Sequence, residues 1–165
     1  MLKKNEKPNR TFAGLVKAID WYDVSLQAIL EDLKLESVNR TQSMMLSHIA
    51  RGVTWPCEIA REMGTTRQNI HAVGKNLISK NILKQLPDPR DRRSSIYSFS
   101  DDGLVLRNKV LVILTYLDKK LSDKVGKDKV KALEAALEED WGDYVLAAPR
   151  ELKSWKMVYL VKELD

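Results

Sequence analysis

Residues 53–103, VTWPCEIAREMGTTRQNIHAVGKNLISKNILKQLPDPRDRRSSIYSFSDDG, decide the fold of this chain. Val53 to Gly64 reads as a short helix, with Thr54 as its N-cap and Pro56 in the first turn, where a missing N–H costs nothing. Ile59, Ala60 and Met63 would form its inner face. Gly64 ends it, and Thr65-Thr66 opens a second helix to Lys80 with a hydroxyl cap. Two helices joined by so tight a glycine corner make a helix-turn-helix. In the second helix Ile70, Val73, Leu77 and Ile78 share one side, where Gly74 allows close approach, while Gln68, Lys75 and Ser79 face the other way. Asn81 sits where a left-handed cap is expected. Ile82–Leu86 and Ser95–Phe99 are rich in strand formers and read as a two-stranded wing, tipped by Pro89-Arg90-Asp91-Arg92-Arg93.

Charge points to the same stretch. From Arg61 to Ser94 there are eight Lys/Arg and three acids, a surplus that equals the +5 of all 165 residues. The rest of the chain balances, so the excess suggests a polyanion-facing surface rather than a basic solubility coat.

Outward from this core, Phe12, Leu15, Val16, Ile19, Tyr22, Leu26, Ile29, Leu30 and Leu33 recur at helical steps, predicting an amphipathic helix over 11–34. A further helix should start at Asn39, a good N-cap, and bury Met45, Leu46 and Ile49. Asp101-Asp102-Gly103 begins a long helix carrying Leu104, Val105, Val110, Leu114, Leu117 and Leu121. Gly126 breaks it, and Lys127 to Glu139 makes another. The expected class is mainly α with a small β wing: a winged helix-turn-helix plus N- and C-terminal dimerisation helices. The chain reads as a single domain over 1–165, with dimerisation helices at 11–34 and 101–140. The winged DNA-binding region covers 37–100, and 141–165 is a C-terminal extension holding Trp141, Tyr144, Trp155 and Tyr159.

Other classes find little support. The lone Cys57 allows no intrachain disulfide, the start is polar without a signal-peptide core, and the longest apolar run, Val110 to Leu114, cannot cross a bilayer. A cytoplasmic protein without membrane contact is expected. No nucleophile elbow, phosphate-cradling glycine loop or zinc-protease motif is present, so no enzyme and no cofactor are expected. His48 and His71 lie in different helices and do not make a metal site; His48 reads as a packed helix residue and His71 as part of the DNA face. Cys57 reads as a small helix residue rather than a redox switch, since no second cysteine could resolve its oxidised form. Trp21, Tyr22, Trp55, Trp141 and Trp155 could line a small-molecule pocket, although aromatics at helical spacing are more often core or interface.

The candidate DNA-binding residues are Thr65, Thr66, Arg67, Gln68, Asn69, His71 and Lys75 on the second helix, and Arg90, Arg92, Arg93 and Ser94 on the wing. Arg, Gln and Asn have the geometry for G and A edges and fall at the helix N-terminus, where recognition helices read bases. The bland alternative is a solvated polar face. Arg67 could read a base or hold a phosphate. Three arginines in four residues repel one another unless an anion is near, and Asp91 is expected to pair with one and shape the loop.

These segments resemble the MarR family of bacterial winged-helix transcriptional regulators. The resemblance rests on Glu58-Ile59-Ala60, Gly64 to Ile70, Leu77, the wing run Asp88 to Ser94, and Ser100-Asp101-Asp102-Gly103. It implies a homodimer, a palindromic operator in double-stranded DNA and a small aromatic effector that relieves repression. Ala72 stands where many members of that family carry an arginine, which shifts base reading onto the neighbouring positions. The expected dimer interface includes Phe12, Leu15, Ile19, Tyr22, Leu117 and Leu121, since one small winged helix could not cover two apolar stripes. A winged-helix module that binds protein rather than DNA is the competing reading, and it has no need of a basic patch confined to the wing.

Overall fold

The computed structural model describes residues 10–91 and 93–142. Six helices and one hairpin follow in the order α1 (Arg10–Asp32), α2 (Arg40–Ala50), α3 (Pro56–Glu62), α4 (Arg67–Ser79), β1 (Leu83–Pro87), β2 (Ser95–Phe99), α5 (Asp101–Val125) and α6 (Lys127–Glu138). Two compact units emerge, the first ending at Lys124 and the second starting at Val125. Arg92, Trp155 and most of the 141–165 extension lie outside the described residues.

Local chemistry sets the helix ends. Asn39 caps α2 in a full capping box: its Oδ1 accepts from the Gln42 amide at 3.0 Å, and Gln42 Oε1 accepts from the Asn39 amide at 2.8 Å. Thr66 caps α4, accepting from the Asn69 amide at 3.1 Å. Asn81, at φ 55°, turns the chain left-handed after α4. The start of α3 differs from expectation: Trp55, not Thr54, is the N-cap, and it makes no side-chain cap bond. Thr54 is occupied elsewhere, its carbonyl accepting from the Tyr97 amide at 3.0 Å and so joining β2.

The winged helix has its own core of Met45, Ile49, Ile59, Ile70, Leu77, Ile82, Leu83 and Tyr97. The hairpin is antiparallel, pairing Leu83 with Phe99 and Pro87 with Ser95. Tyr97 is 2 % exposed and lies on Gly74, where a Cβ would stand 2.5 Å from its ring. Burying a ring of this size contributes about 2 to 3 kcal/mol. At the wing base Ser100 Oγ accepts from the Gly103 amide at 2.9 Å, and the Ser100 amide donates to the Ile82 carbonyl at 3.1 Å. That carbonyl faces Gly103 so closely that any side chain there would collide with backbone. The Ser-x-x-Gly spacing thus fastens the wing to the first turn of α5.

A second cluster joins α1 to α5 through Leu26, Leu30, Ile113 and Leu117, and Tyr22 Oη donates to Asp118 Oδ1 at 2.6 Å. Leu117, expected at an interface from its spacing, is 3 % exposed and packed in this cluster within the chain. The two stripes partly cover each other, which the single-subunit argument did not allow. Phe12, Val16 and Ile19, in the first turns of α1, remain exposed, while Leu15 and Leu121 are half-buried. In the second unit α6 buries Val130 and exposes Leu133 and Leu137.

Gly74→Leu and Gly103→Ala should each destabilise the protein by at least ~1–3 kcal/mol through overpacking, the second without relief because the colliding atom is backbone. Urea unfolding monitored by circular dichroism checks this, and a midpoint unchanged in either variant would contradict the close approach.

Candidate nucleic-acid interface

The corner between α3 and α4 organises the first turn of α4. Thr66 Oγ1 holds the Asn69 amide, and Asn69 Nδ2 donates to Thr65 Oγ1 at 3.0 Å. Thr65, Thr66 and Asn69 are thus committed to shaping the turn. Gln68 and Lys75 are exposed and, among the described residues, unpartnered. Arg67 Nε donates to His71 Nε2 at 3.3 Å, and His71 Nδ1 lies 3.3 Å from Tyr97 Oη. A guanidinium can only donate, so Nε2 accepts and the neutral ring carries its proton on Nδ1, towards Tyr97. Burial pushes the Tyr97 hydroxyl pKa up, and a neutral phenol oxygen can accept that hydrogen bond. His71 therefore links Arg67 to the wing strand while the outer N–H groups of Arg67 stay open.

The wing tip is built from two successive aspartate turns. Asp88 Oδ1 accepts from the Arg90 amide and Asp91 Oδ1 from the Arg93 amide, both at 2.9 Å. Ser94 Oγ donates to Asp91 Oδ2 at 3.0 Å, and the Asp88 amide donates to the Ser94 carbonyl at 3.0 Å. Asp91 forms no ion pair with Arg90 or Arg93, and Arg92 lies outside the described residues; the two aspartates grip the backbones of Arg90 and Arg93 instead. Asp88, missed in the sequence, is the more anchored of the two. It is 6 % exposed, and Trp55 Nε1 donates to its Oδ2 at 2.7 Å. The spacing Asp-x-Arg, repeated from Asp88, was the available signal.

The basic excess is largely unpaired. Lys80 bonds Glu36 at 2.7 Å and Lys84 lies 3.6 Å from Asp101. Arg67, Lys75, Arg90 and Arg93 are exposed and have no carboxylate within ion-pair distance among the described residues. His48 is buried as expected of a packed residue, with Nδ1 2.9 Å from both Glu62 and Arg51, two contacts that need opposite protonation of that nitrogen. Cys57 is exposed.

A cavity of about 280 Å³ lies in the first unit between α1, α2, α5 and the wing base, lined by Leu26, Leu30, Val38, Ser43, Leu46, Ile82, Phe99, Gly103, Leu106, Arg107, Val110 and Leu114. Trp21, Tyr22, Trp55 and Trp141 do not line it, and Trp155 lies outside the described residues. Ser43 Oγ is buried there without a hydrogen-bond partner among the described residues. No described helix is long and apolar enough to cross a membrane.

The bonds from the Arg90 amide and the Trp55 indole hold the Asp88 carboxyl below its ordinary 3.8. A lowered folded value means the anchor is complete above the unfolded pKa and is lost as pH falls through the folded one. The Trp55 indole and Arg90 amide resonances should therefore stay fixed from neutral pH to 3.8 and move only below it. An NMR titration midpoint above 3.8 would contradict this anchor.

No protein-family model matches the sequence, and no curated protein is similar enough to count as a relative. Solved structures do match. The transcriptional regulator Tm0710 from Thermotoga maritima is 20 % identical with a TM-score of 0.54, over 93 % of this chain and 97 % of that one. Reduced MarR from E. coli is 21 % identical with a TM-score of 0.61, over 76 % and 93 %. The transcriptional repressor CouR, bound to a 23-mer DNA duplex, is 21 % identical with a TM-score of 0.62, over 83 % and 96 %. Identities this low speak for architecture alone: the chain has the winged-helix fold of MarR-type regulators.

Proposed function

We propose that this chain is a sequence-specific duplex-DNA-binding transcriptional regulator, a cytoplasmic repressor that acts as a homodimer on a palindromic operator. The observation that carries the reading is the exposed, unpaired set Arg67, Lys75, Arg90 and Arg93 on a rigid helix-turn-helix and wing. Exposed charges without carboxylate partners suit phosphates, whose neutralisation releases counterions and dominates affinity. Gln68 and Arg67, in the first turn of α4, are the base-reading residues of this proposal. That a similar fold was solved on a duplex supports it.

A single recognition helix with few phosphate contacts binds weakly, and a two-fold places two of them in successive major grooves about 34 Å apart. The second copy would seat on α1, where Phe12, Val16 and Ile19 form an exposed apolar stripe at helical spacing. The apolar cavity suits a small, flat effector whose one polar group meets the unpartnered Ser43 hydroxyl. Occupancy would relieve repression, which titration of simple phenols into the preformed complex reads directly.

Selection from a random duplex pool should recover a palindrome. On that site Gln68→Ala should cost roughly 1–3 kcal/mol and relax preference at one base pair. Arg93→Ala should weaken all duplexes alike and lower the salt slope of the dimer by about 1.8, one phosphate for each protomer. Unchanged affinity and slope for both variants would end the reading.

Sedimentation should show a dimer at low micromolar concentration, and Phe12→Glu with Ile19→Glu should give a folded monomer without operator affinity. A wild-type monomer that still binds the palindrome tightly would overturn the two-fold arrangement.

A further inference from the structure

We propose that Trp55 is a positioning residue for the wing: its indole presets the Arg90 guanidinium for a DNA phosphate. The inference rests on the reading of the wing as a phosphate contact. Trp55 caps α3 with its backbone and makes no side-chain bond to that helix, so its side chain is spent elsewhere. Two contacts show where. Nε1 donates to Asp88 Oδ2 at 2.7 Å, and the Arg90 guanidinium lies 4.2 Å above the ring centroid. Asp88 completes the arrangement by holding the Arg90 amide at 2.9 Å. The same indole therefore fixes both ends of residue 90, its backbone through Asp88 and its charge through the ring face.

The geometry favours presentation over burial. Arg90 is exposed, and a guanidinium held over an aromatic face by its charge can still offer N–H groups to oxygen acceptors. Trp55 and Asp88 are 33 residues apart, so the contact also ties the wing tip to the start of the helix-turn-helix. An arginine held in this way gives up less side-chain freedom when a phosphate arrives. Among the described residues Arg93 has its amide held by Asp91, but no ring or carboxylate holds its guanidinium. Among the described residues the wing thus presents one preset arginine, Arg90, and one adaptable one, Arg93.

A double-mutant cycle tests the proposal on full-length protein and the selected duplex, with thermal unfolding recorded for every variant. Releasing one rotamer-rich side chain corresponds to a loss of roughly three- to tenfold in affinity, and Trp55→Ala should show it. In the Arg90→Ala background the same substitution should cost nothing further, because no guanidinium remains to position. Trp55→Phe keeps a ring under the guanidinium but drops the bond to Asp88, so it should fall between wild type and Trp55→Ala. It also serves as the readout if Trp55→Ala fails to fold. Trypsin should cut the wing of free Trp55→Ala faster than that of wild type at equal thermal stability. Losses that simply add in the two backgrounds, or no loss from either Trp55 variant, overturn the positioning role while leaving the DNA-binding reading intact. Wild-type protein without affinity for any duplex overturns that reading, and this inference with it.

Discussion

The contact between Tyr97 and Gly74 holds the rest in place. A two-stranded hairpin buries too little to stand alone, and the side chains of β1 beyond Leu83 are exposed. What orients the wing is one aromatic ring, fully enclosed, resting on a helix position that has no side chain. From that ring the order spreads in two directions. The Tyr97 amide reaches the Thr54 carbonyl ahead of α3, and its hydroxyl reaches His71 and through it Arg67. Strand, corner and recognition helix are thereby set against one another before any partner is met.

The tip follows a different logic. From the sequence Asp91 is expected to pair with one of the arginines beside it, and no role falls to Asp88. Instead their carboxylates take backbone amides, and the loop gains a fixed shape without losing its outward charge. Local turns of this kind offer the chain an alternative to extending the ladder, and they end β1 at Pro87.

Much of this was legible in the residues. Helical spacing marked the buried faces of α2 and α4, and Asn39, Thr66, Gly74 and Asn81 behave as their local chemistry predicts. Ser100 and Gly103 were legible as a pattern, but the carbonyl that makes glycine obligatory comes from Ile82, across the fold. Misreadings share that character. Thr54 looked like a cap because hydroxyls cap helices, yet its carbonyl is drawn to β2 and the cap passes to Trp55. Leu117 looked like interface because nothing nearby in sequence could cover it, while Leu26 and Leu30 do so from the other end of the unit. The cavity is lined mostly by Leu, Val and Ile with Phe99 the one aromatic, and such residues carry no sequence signal that separates a pocket from ordinary core.

The cavity shares its wall with the joint between wing and long helix, since Ile82, Phe99 and Gly103 belong to both. A molecule in that space and a duplex on the wing would press on one rigid piece of backbone from opposite sides. Coupling through a shared element is reciprocal: whatever factor the occupant takes from the affinity for DNA, DNA takes from the affinity for the occupant. Under the proposed function, many operator copies would thereby raise the concentration of effector needed to release the protein.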